Sequence, residues 1–151
     1  MLSTRMFTEW LDAQFPDWFA LAAAILLGAF GVLALGFLVI CFAPVALGSW
    51  MPPIAGFCGA SAGYKYWEKR QSESPTARKA LCLASGLGPA AAAAAMQTAV
   101  NRGIFGTDPT VQLIAVIMAL GIAGAAAGGL LRSRYERDTG IKRQQLNEDG
   151  F

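Results

Sequence analysis

Residues 18–64 contain no Asp, Glu, Lys or Arg, an unbroken run of 47 residues. A helix rises about 1.5 Å per residue and the hydrocarbon core of a bilayer is about 30 Å thick, so one crossing takes roughly 20 residues. A run of this length predicts two crossings joined by a tight turn. Pro44, Gly48, Pro52 and Pro53 interrupt any continuous helix and place the turn in residues 44–53, with Trp50 as an interfacial anchor. Two later stretches, residues 80–101 and 109–131, hold 22 and 23 residues without a charge. The Asp108-Pro109 pair reads as the start of the last helix, with Asp as N-cap and Pro at its first position.

The expected fold is therefore an all-α integral membrane protein with four transmembrane helices, at about 18–43, 50–67, 80–101 and 109–132, arranged as two helical hairpins; the alternative is three crossings, with residues 54–67 as a re-entrant or interfacial piece. Residues 1–17 precede them as an N-terminal cytoplasmic or interfacial segment, and residues 133–151 follow as a cytoplasmic tail that begins as helix and frays past Asp138. Phe7, Trp10, Leu11 and Phe15 fall on one helical stripe with Glu9 and Asp12 off it, which predicts a short amphipathic helix lying along the membrane surface. Composition agrees. Only 15% of the residues are charged, against about 25% in soluble domains. That balance excludes a soluble domain and a disordered chain, and a net charge of +2 excludes a strongly basic nucleic-acid binder.

Orientation follows from the cations. Lys65, Lys69, Arg70, Arg78 and Lys79 lie between the second and third spans. Arg132, Arg134, Arg137, Lys142 and Arg143 follow the fourth, and Arg5 precedes the first. Only Arg102 falls in a segment of the opposite parity, so eleven of the twelve basic residues share one side. Basic residues near span ends mark the cytoplasmic face. Both termini and a basic loop carrying Lys65, Lys69, Arg70, Arg78 and Lys79 are expected there, where they also meet anionic lipid.

Small residues mark where helices approach in a bilayer, because packing rather than the hydrophobic effect joins them there. Gly59–Gly63 and Gly124–Gly128 are each a GxxxG, and Gly28, Gly31 and Gly36 serve the first helix. Pro89 is expected to kink the third helix. Ile54-Ala55-Gly56 matches Ile122-Ala123-Gly124, and Trp67-Glu68-Lys69 resembles Tyr135-Glu136-Arg137, both at an offset of 68, a hint of duplicated hairpins. Gln97 and Asn101 share a helix face near the outer surface, and Gln112 begins the last helix at the same depth. The three are expected to hydrogen-bond one another, or to line a polar vestibule.

Catalytic chemistry has little to draw on. There is no His, the acids lie in tails and loops, and neither Ser61 nor Ser85 has a base beside it in the sequence. Cys41, Cys58 and Cys82 have neither disulfide-framework nor metal spacing and read as small hydrophobes. No catalytic residue, cofactor or metal is expected.

Ala62-Gly63-Tyr64 leading out of the second span and Ser74-Pro75-Thr76-Ala77-Arg78 leading into the third give the chain a further likeness. Over residues 18–132 it resembles small four-helix bacterial inner-membrane proteins of unknown function, built as two hairpins around a basic loop. It departs from them at Glu73-Ser74, where an Arg usually precedes the Pro. The resemblance implies a multi-pass protein of the bacterial inner membrane and supplies no activity. The expected function is contact with a membrane-protein partner, as an accessory subunit or a toxin-immunity protein, in a lipid bilayer and without nucleic acid. The alternative is a homo-oligomeric pore or small-solute transporter.

Overall fold

The computed structural model of the chain describes residues 17–69 and 75–148. All their regular structure is helical: α1 (Asp17–Phe42), a 3-10 turn (Pro44–Ala46), α2 (Leu47–Lys69), α3 (Pro75–Ser85), α4 (Leu87–Val100), a π-helical turn (Asn101–Phe105) and α5 (Val111–Glu148). The expected amphipathic helix carrying Phe7, Trp10, Leu11 and Phe15 lies outside the described residues. Three stretches are long and apolar enough to cross a membrane: Phe19–Phe42, Thr76–Phe105 and Val111–Gly140, with mean hydropathies of 2.8, 1.3 and 2.2.

Helix α2 is not among these three, although it is 23 residues long. Its position explains its composition. It touches every other helix, whereas α1 and α5, on opposite sides of it, do not touch each other among the described residues. Met51, Ile54, Ala55, Cys58, Ala62 and Tyr66 form a fully buried stripe at helical spacing, and Phe57, Ser61 and Lys65 stand on the open face. A helix covered by its neighbours needs small residues that let them approach more than it needs an apolar surface.

Several boundaries differ from the sequence reading. The first turn is shorter than expected: Ala43 is extended before Pro44, the 3-10 turn closes on Ala43, and α2 starts at Leu47. Pro52 and Pro53 lie inside α2. They remove backbone donors near its start, and the burial of Leu47 and Met51 beside them holds that end in place. The third run is divided rather than kinked at Pro89. Helix α3 ends at Ser85, Gly86 donates to the Leu83 carbonyl at 3.0 Å, and Pro89 sits in the first turn of α4, where its missing N–H has no intrahelical partner to lose. A side chain on Gly86 would start 2.6 Å from the Gly121 carbonyl oxygen, so glycine there lets the break nestle on α5.

Asp108 does not cap α5. Thr110 does, its Oγ1 accepting the Leu113 N–H at 3.3 Å, while Asp108 pairs with Arg102 across the turn. That turn closes at Gly106, whose φ of 66° suits glycine. At the far end the expected fraying does not occur by Asp138, since α5 continues to Glu148. No Pro interrupts it, and pairs such as Arg132–Glu136 at i, i+4 support it.

The seam between α2 and α5 is the closest contact in the bundle. A Cβ on Gly59 would strike the Gly121 carbonyl, and one on Gly124 would strike the Gly56 carbonyl. Likewise Gly63 faces the Ala125 carbonyl, and Gly128 faces that of Ala60. Contacts advance together along both helices, so the two run parallel. The four contacts form two pairs that exchange when 65 is added to the α2 numbers: Gly59 becomes Gly124, Gly56 becomes Gly121, Gly63 becomes Gly128 and Ala60 becomes Ala125. The seam is thus self-complementary, like the interface of a two-fold dimer, but made within one chain. Its sequence basis is G-x-x-G-A-x-A-G, present at residues 56–63 and again at 121–128. The repeat visible in the contacts has an offset of 65 rather than 68. In each contact a glycine α-hydrogen points at a carbonyl across the seam, a weak hydrogen bond worth about 0.5–1 kcal/mol.

Candidate functional site

The chain's polar chemistry gathers at the end of the bundle where α2 finishes, α3 begins and α5 leaves its apolar stretch. Arg78, on the first turns of α3, is 14% exposed. Its Nη2 donates to the Trp67 carbonyl at 2.6 Å, and its guanidinium lies 4.1 Å from the centre of the Trp67 ring. The same Nη2 is 3.8 Å from Oε2 of Glu136 on α5. Glu136 Oε1 accepts from Arg132 Nε at 3.2 Å, and Arg132 Nη1 donates to the Tyr64 hydroxyl at 2.9 Å. Arg132 also lies over the rings of Tyr64 and Tyr135. Two arginines, one carboxylate and three aromatic rings therefore tie α2, α3 and α5 together. Arg is suited to this role because a planar guanidinium can stack on a ring and still donate at its edge.

The arrangement corrects the reading of a basic loop. Lys65 and Lys69 belong to α2, and Arg78 and Lys79 to α3. Arg70 lies outside the described residues. Sequence reasoning treated Arg78 as one cation among five. Its stacking on Trp67 depends on a contact between two helices, which no single segment of the sequence signals.

Beside this cluster is a groove between α3 and α5, with a cavity of about 710 Å³ walled at one side by Trp67. Its outer part is lined by Arg78, Lys79, Ser133 and Arg137, and its inner part by Cys82, Leu83, Ala126 and Leu130. Lys79, Arg137, Leu83 and Leu130 are exposed, so the groove is open to the surroundings of the bundle. Two donors at this wall, Trp67 Nε1 and Arg78 Nε, are buried and without a hydrogen bond among the described residues. Buried polar atoms ordinarily find partners. The inner wall is otherwise satisfied: Cys82 Sγ donates to the Ala125 carbonyl at 3.3 Å, and Ser85 Oγ to the Cys82 carbonyl at 2.6 Å.

The remaining candidates lie elsewhere. Gly59, Gly63, Gly124 and Gly128 are in the interior seam, facing one another's helices. Gln97 Nε2 donates to Asn101 Oδ1 at 2.8 Å near the opposite end of the bundle, with Gln97 Oε1 buried and unpaired among the described residues. Gln112 does not join them. It is exposed at the start of α5, because α5 buries Ile117, Gly121 and Ala125 and position 112 falls on the opposite side of the helix. Cys41 is exposed, Cys58 and Cys82 are buried, and all three are free thiols. Among the described residues no three His, Cys, Asp or Glu side chains stand close enough to hold a metal ion.

No family model, no curated protein and no solved structure matches this chain.

Proposed function

We propose that the chain is a non-enzymatic, four-span protein of the bacterial inner membrane that acts by contact with a membrane-protein partner, as an accessory subunit or an immunity-type protein. The observation that carries this reading is the filled interior. Backbones of α2 and α5 meet through glycine, and among the described residues the core buries few polar groups, namely Ser85, Gln97 and Tyr66. A solute crossing the bundle would need a polar path through that packing. Broad apolar faces, such as that of α1 with Leu26, Phe30, Leu33 and Phe37, instead look outward toward lipid or a partner.

Four crossings are supported by the seam. Helix α2 lies parallel to α5 along residues 56–63, level with an apolar stretch of α5, and its 23 residues extend about 35 Å. Cytoplasmic termini are supported by the meeting of Arg78 with Glu136 and of Arg132 with Tyr64, which brings both basic clusters to one end, while Arg102 is in the turn at the other.

Native mass spectrometry of the protein extracted from its own host in mild detergent tests the reading. The expected result is a stoichiometric complex with a different membrane protein. The chain alone would overturn it. A homo-oligomer would transfer the case to a pore or transporter, to be pursued by flux assays on Gln97 and Asn101 variants.

A further inference from the structure

The groove between α3 and α5 changes character along its length, and both walls change in the same direction. On α5 the lining runs from Ala126 and Leu130 to Ser133 and then Arg137. On α3 it runs from Leu83 and Cys82 to Lys79 and Arg78. The helices are oppositely directed here, so the apolar ends coincide and the cationic ends coincide. Over residues 126–137 of α5 this gradient extends about 16 Å. An anionic head joined to a hydrocarbon tail has the same polarity over a similar length.

The cationic end is also organised for an anion. Arg78 is fixed by its stack on Trp67 and its bond to the Trp67 carbonyl, so its charge is held at the groove wall. Glu136 is shared between Arg78 and Arg132 and offsets one of the two. Lys79 and Arg137 add two exposed cations that form no ion pair among the described residues, Arg137 using only its Nε on the Ser133 carbonyl at 3.4 Å. With Trp67 Nε1 and Arg78 Nε unpaired, this wall is rich in donors and short of acceptors. Basic pockets between membrane helices at the cytoplasmic face suit acidic lipid headgroups. The volume of about 710 Å³ lies within the ~300–1,000 Å³ range of small-ligand sites.

We propose that this groove binds one anionic phospholipid, with its phosphate at Arg78, Lys79, Ser133 and Arg137 and an acyl chain along Leu83, Ala126 and Leu130. The site rests on the membrane reading above, but not on the existence of a protein partner.

The test is lipid retention by the full-length protein in mild detergent, followed by native mass spectrometry during titration with phosphatidylglycerol or phosphatidylcholine. One phosphatidylglycerol is expected to bind in preference to phosphatidylcholine. The double variant Lys79→Gln, Arg137→Gln removes two exposed cations and should weaken that binding about 30-fold. The double variant Lys65→Gln, Arg134→Gln removes the same charge near the same end but outside the groove, and should leave binding within about threefold, because exposed charges beyond the contact are screened. Ala126→Phe fills the apolar floor and should weaken lipid binding without altering charge. Equal binding of both lipids, or equal losses in the two double variants, would overturn the proposal. So would full displacement by inorganic phosphate, which would assign the site to a free anion.

Discussion

Two of the seams in this bundle use glycine differently. Between α2 and α5, each of four glycines faces a backbone carbonyl. Between α1 and its neighbours, glycines face mainly side chains: Gly28 meets the Pro89 ring, Gly31 the Cys58 thiol, and Gly36 the ends of Met51 and Met96. A methionine end can move, whereas a carbonyl in a helix cannot move without its helix. The first seam is therefore fixed by backbone geometry and the second is adjustable. Surface composition follows the same division. Helix α1, with mean hydropathy 2.8, exposes Phe30 at 71%, while α2, which is less apolar, is the most enclosed element. In a bilayer, high hydropathy marks what faces lipid, and the innermost helix can be the least apolar.

The comparison can be broken by substitution, with stability measured by detergent-driven unfolding. Gly59→Leu or Gly124→Leu should force α2 and α5 apart and cost about 4 kcal/mol or more. The smaller Gly59→Ala and Gly124→Ala should each cost about 2–3 kcal/mol. Because the two positions exchange across the seam, their effects should agree within about 0.5 kcal/mol, and a larger difference would refute the self-complementary arrangement. Gly36→Ala should cost about 1 kcal/mol or less, since methionine ends can yield. If it equals Gly59→Ala, the two seams do not differ in kind. Gly140→Ala, in α5 with open space around it, should stabilise by about 0.5–1 kcal/mol.

The all-helical class was legible because long charge-free runs admit little else. Gly59, Gly63, Gly124 and Gly128 were legible as small-residue faces, but which helix each would meet was not, because a GxxxG does not specify its partner. The duplication was sought at 68 through Ile-Ala-Gly, yet the contacts exchange at 65 through G-x-x-G-A-x-A-G. In an Ala- and Gly-rich segment several offsets score alike, and only the seam selects one. Gln112 was placed with Gln97 by depth, but depth does not fix rotation about the helix axis, and the packing of Gly121 and Ala125 on α2 sets that rotation. The groove was not legible at all. Its polarity depends on two walls far apart in sequence, Arg78 to Leu83 and Ala126 to Arg137, each of which reads alone as an ordinary helix end.

The parallel seam also sets a schedule. The α5 half of the seam, at residues 121–128, emerges from the ribosome roughly 60 residues after α2 ends at Lys69. At about 5–20 residues per second, that is a delay of about 3–12 s. During that interval α2 has only α1, and later α3 and α4, to cover its glycine face. Biogenesis of this protein is therefore most vulnerable before its last helix arrives, and an insertion factor that shelters an incomplete hairpin would act on α2.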